Sequence, residues 1–80
     1  MTEEEYLKLV GDRIRNLRKP LLTQEELADK LGTKHTQIGR IERGEANCTL
    51  STLKKIAFEL GLTVSELIDI NEPQSKKKKK

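Results

Sequence analysis

A single cysteine, Cys48, and a single histidine, His35, stand in this 80-residue sequence, and tryptophan is absent. One cysteine excludes an intrachain disulfide and a cysteine-based zinc site, and it fits a reducing cytosol. One histidine, with no carboxylate or cysteine set at ligand spacing around it, leaves no metal site to expect and no cofactor. There is no glycine-rich phosphate loop and no serine, histidine and aspartate arrangement. The chain is also too short to enclose a substrate pocket, so no catalytic residue is expected. No apolar run approaches the roughly 20 residues of a membrane span, and no signal peptide precedes the first helical pattern. A soluble, cytoplasmic protein is the expectation. Strand-like alternation and solenoid-length repeats are missing too, so the fold should be all-α.

What is present in quantity is charge, 36% of the residues, with a formal net of +3. The last five residues are all lysine, which leaves 11 Lys and Arg against 13 Asp and Glu in residues 1–75, a net of −2. A high isoelectric point therefore says little by itself, and position says more. Arg13, Arg15, Arg18 and Lys19 precede the central stretch and Lys34, Arg40 and Arg43 lie inside it, whereas acids gather toward the two ends. One basic face with an acidic remainder suits a phosphate backbone. A chain this short makes one domain of modest stability, over residues 1–70. Residues 71–80, with Pro73, Ser75 and the lysines, have nothing to bury and should be disordered. The lysine run either adds nonspecific phosphate affinity, or solubilises, or has no role.

The chain is organised around Thr23 to Gly44. Thr23 and Glu26 have capping-box spacing, so a helix should begin at Gln24, with Leu27, Ala28 and Leu31 on one face. Gly32 ends it, since glycine takes the left-handed conformation without a steric penalty. After a short turn, Ile38 and Ile41 lie three apart on a second helix ending at Gly44. Lys34 stands at the start of that helix, which leaves Thr33 as its capping candidate. Before this pair, Thr2 and Glu5 open a helix over roughly 3–18, with Leu7, Val10, Ile14 and Leu17 recurring until Pro20 stops it. After it, Thr49 caps a fourth helix with Leu50, Leu53, Ile56, Ala57 and Leu60 facing inward. Gly61 ends that helix, and Thr63 with Glu66 opens a fifth.

The strings TQEELA and IGRIERG resemble the helix-turn-helix of the phage-repressor family, the Cro, lambda-repressor and Xre-like DNA-binding proteins, from about Gly11 to Leu67. The resemblance implies a compact five-helix lambda-repressor-like domain. It departs from the common pattern in a link from Lys19 to Leu22 that is one residue shorter, and in Cys48 where proline is frequent. It implies base contacts from Lys34, His35, Thr36, Gln37 and Arg40, with Arg40 able to fork onto guanine O6 and N7. It places Gln24, Arg43 and Asn47 at phosphates and pairs Arg18 with Glu42 as a structural ion pair. A module reading a few base pairs needs a second copy, so a homodimer on double-stranded DNA is expected, with Phe58, Ile68 and Ile70 as its interface. The leading reading is a transcriptional regulator, a repressor on an inverted-repeat operator. An antitoxin-type or adaptor module that binds protein is the alternative, and an enzyme is the least expected class.

Overall fold

The computed structural model describes residues 1–70, and the expectation for the lysine-bearing end lies outside them. Five helices follow one another: α1 (Glu3–Arg18), α2 (Gln24–Leu31), α3 (His35–Glu42), α4 (Leu50–Leu60) and α5 (Val64–Leu67). Three of them open with a reciprocal cap, Thr2 with Glu5, Thr23 with Glu26, and Thr63 with Glu66. At α2, the Glu26 N–H donates to Thr23 Oγ1 at 3.0 Å and the Thr23 N–H donates to Glu26 Oε1 at 2.8 Å. Two N–H groups without intrahelical partners are thus satisfied by side chains four residues apart or fewer. Thr49 caps α4 without a reciprocal acid, accepting from the Thr52 N–H at 3.1 Å.

Each helix sends one large side chain into the centre: Ile14, Leu27, Ile38, Ile56 and Leu67 are fully buried. Val10, Ala28, Ile41, Ala57 and Leu60 complete the core. Each large side chain removed from water contributes about 1.5–3 kcal/mol, which is the main favourable term in a domain this small. Leu50 is a correction to the pattern reading, for it is 73% exposed. It is the first residue after the Thr49 cap, and the core begins one turn further on at Leu53, where α4 reaches its neighbours.

Two features set the position of α3. Gly11 brings α1 against the end of α3 so closely that a β-carbon there would stand 2.6 Å from the Glu42 carbonyl oxygen and collide with that of Ile41. The short link after α1 closes on itself, since the N–H groups of Leu21 and Leu22 both donate to the Arg18 carbonyl, at 2.8 and 2.9 Å. Arg13 fastens the far end of the domain by donating from Nη2 to the Glu66 carbonyl at 2.8 Å.

Candidate nucleic-acid interface

α3 has two unlike faces. Ile38, Gly39, Ile41 and Glu42 are buried, while Lys34, His35, Thr36 and Arg40 are exposed and Gln37 is half-buried. Thr36, Arg40 and Arg43 follow at intervals of four and three, so they form one stripe along the exposed side. Lys34, not Thr33, is the residue before the first turn, and its side chain makes no capping bond. The expectation that Thr33 caps is therefore corrected: its place in the turn is one residue too early for its oxygen to serve the N–H groups of α3.

The buried side of α3 is held by a charged network. Arg18 donates from Nε to Glu42 Oε2 at 2.5 Å and from Nη2 to Glu42 Oε1 at 2.9 Å, with side chains only 8% and 2% exposed. Gln24 adds a bond from Nε2 to Glu42 Oε1 at 3.0 Å, and Arg18 Nη1 reaches the Leu22 carbonyl at 2.9 Å. Two parallel bonds between a planar guanidinium and a carboxylate fix angle as well as distance. One carboxylate on α3 is thereby joined to α1 and to the first residue of α2. Gln24 is thereby tied to the end of α3, and with His35, Arg15 and Lys19 it borders one shallow concavity.

The basic face is thinner than the sequence suggests. Arg13 is spent on α5 and Arg18 on Glu42, which leaves Arg15 and Lys19 of that cluster exposed without such ties. Arg43 is exposed at the end of α3, yet it forms a double bond pair with Glu45, Nε to Oε2 at 3.0 Å and Nη2 to Oε1 at 3.1 Å. The hydrogen bonds from Arg43, and after them the charges of Arg43 and Arg40, hold the Glu45 carboxyl below its ordinary range; reciprocally the Arg43 guanidinium is pushed up. Sequence reading missed Glu45. Its signal is the string Arg43-Gly44-Glu45, because Gly44 adopts φ 75° and turns the chain back so that the Glu45 N–H meets the Arg40 carbonyl at 2.8 Å. A side chain at Gly44 would suffer that positive φ and also stand 2.8 Å from the Lys8 backbone.

Asn47 lies exposed on the following loop, and Cys48 is half-buried, where desolvation pushes its thiol up. Of the residues expected at a dimer contact, Phe58 is 77% exposed and borders a hollow with Leu31, Lys54 and Lys55. Ile68 and Ile70 are half-buried against the core, and Ile68 faces Tyr6 and Leu7 instead. Phe58 and Ile68 border different hollows. Among the described residues no group of three or more His, Cys, Asp or Glu is placed to hold a metal ion, and no helix is long and apolar enough to cross a membrane.

A family model described as helix-turn-helix matches residues 14–67. The immunity repressor protein of Bacillus phage phi105 is 42% identical over 60 residues, covering 74% of this chain and 42% of that protein. The chain thus spans less than half of the phage protein's length. The control protein C.BamHI of Bacillus amyloliquefaciens is 36% identical over 63 residues, 76% of this chain and 78% of that one. Among solved structures, the restriction-modification controller protein C.AhdI from Aeromonas hydrophila superposes with a TM-score of 0.78 at 34% identity, over 84% of this chain and 99% of that chain.

Proposed function

Because the chain belongs to the helix-turn-helix family of phage-repressor-like DNA-binding proteins, we propose that it acts as a dimeric repressor that occupies an inverted-repeat operator. It is a sequence-specific double-stranded DNA-binding transcriptional regulator of this class. The observation that carries the finer reading is the division of α3. Its inner side is bolted through Glu42 to α1 and α2, and its outer side offers His35, Thr36 and Arg40 to solvent. A helix so presented fits the major groove, where each base pair shows its own pattern of donors and acceptors. Arg40 forks onto a guanine, Thr36 sets its methyl against a thymine methyl, and His35, Lys34 and Gln37 complete the base contacts. Gln24, Arg43 and Asn47 take phosphates on either side of the groove, which fixes register without carrying base information. Two copies placed about 34–36 Å apart read two half-sites. The dimer forms through Phe58 of α4 with Ile68 and Ile70. The proposal gives no residue a catalytic role.

Selection from random duplexes near physiological salt, followed by sequencing, tests this reading. An inverted repeat is expected, and Arg40→Ala should relax one position of each half-site at a cost of about 1–3 kcal/mol. A population without enrichment would refute sequence-specific recognition.

A further inference from the structure

Among the described residues, the bond pair at the end of α3 is the exposed ion pair that docking of the proposed DNA face has to undo. Arg43 offers a guanidinium edge made of Nε and Nη2, the edge that takes two oxygens of a carboxylate or a phosphate. Both nitrogens on that edge already donate to Glu45. The remaining nitrogen, Nη1, lies back over Gly39, 3.1 Å from where a β-carbon would be, and so points along α3. The Glu45 backbone is fixed within reach of Arg43, since Gly44 reverses the chain and the Glu45 N–H is bound to the Arg40 carbonyl, while the two paired side chains are 60% and 53% exposed. Arg40, the proposed guanine reader, also lies within the field of Glu45.

We propose that Glu45 is an internal phosphate surrogate: it fills the Arg43 edge that a DNA phosphate would take, and so lowers the affinity of this interface for duplexes of every sequence. The inference rests on the DNA-binding reading and specifies how that surface is regulated by its own loop. Arg43 exchanges one oxyanion for another on docking, and Glu45 is left facing the phosphates with its charge uncompensated. Binding is weakened alike on random and on operator DNA, because a phosphate stands at that place in both. One positive charge is also cancelled in advance, so fewer counterions leave the DNA than the count of cationic side chains suggests.

The experiment is fluorescence anisotropy with a labelled random-sequence duplex and with a duplex recovered by selection, across about 50–200 mM salt. Wild type, Glu45→Gln, Arg43→Ala and the double variant are compared, with Arg40→Ala as a separate arm. Glu45→Gln is expected to tighten binding to both duplexes by about three- to tenfold and to steepen the slope of log K against log salt by about 0.9. Both effects should be clearly smaller in the Arg43→Ala background, where only the repulsion between Glu45 and the phosphates is left to relieve. Weaker binding by Glu45→Gln would show that the carboxylate orders Arg43 for DNA, and overturns the proposal. An unchanged affinity, or an equal gain with and without Arg43, overturns it as well. If the wild type binds and Arg40→Ala relaxes its sequence preference, failure of the Glu45 arm leaves the DNA-reading assignment standing. Absence of binding by the wild type removes both.

Discussion

At the residue scale, Glu42 is the side chain on which the reading helix depends. A carboxylate this deeply buried is tolerated because three N–H groups from Arg18 and Gln24 point at it, and removing one charged partner leaves the other without compensation. Arg18→Ala is therefore expected to cost about 3–5 kcal/mol in a urea titration. Gln24→Ala should cost far less, since the charges stay paired. A domain whose whole stability is about 5–15 kcal/mol would be close to unfolding after the first change. The Arg18 and Glu42 pairing was legible in the sequence through the family's ERG string. The Arg43 and Glu45 pairing was not, because two residues apart on a regular helix do not face each other. They meet only through the reversal at Gly44, a backbone event that charge patterns do not announce. The same blindness left Arg13 in the basic cluster with no partner, when it is engaged with the Glu66 carbonyl.

At the scale of the helix, the caps explain why so much of the fold could be read in advance. Thr-x-x-Glu at Thr2, Thr23 and Thr63 locates three helix starts to the residue, and in each the predicted reciprocal bonds are present. The cap on α2 matters most, because Gln24 is the first residue after it and carries the bond to Glu42. Thr23→Ala is expected to lower stability by about 1 kcal/mol, seen as a fall of about 4–8 °C in Tm by circular dichroism. Leu50 marks where periodicity ran out. Its spacing to Leu53 is that of an inward residue, but whether a first turn has a neighbour to pack on depends on the other helices, and here it has none close enough to cover it. The sequence put Lys34 at the start of α3 correctly, but the capping role given to Thr33 failed, because the turn leaves that helix without a side-chain cap.

At the scale of the molecule, Phe58 gives access to assembly. Being 77% exposed, it can be changed without disturbing the core. If it anchors the proposed dimer, Phe58→Asp should raise the dimer dissociation constant by roughly thirtyfold in sedimentation equilibrium, as loss of a central aromatic does at an interface. The circular dichroism spectrum should be unchanged. Sequence could nominate Phe58, Ile68 and Ile70 as apolar, but not show that Ile68 lines a hollow with Tyr6 and Leu7 while Phe58 lines another with Lys54 and Lys55. The division of α3 has a last consequence, for heredity rather than for binding. His35, Thr36 and Arg40 are exposed and, among the described residues, make no side-chain hydrogen bond that the core depends on. The residues that hold α3 in place and those proposed to choose its target are separate sets. If the second set reads the operator as proposed, a lineage can exchange it stepwise without passing through an ancestor that fails to fold.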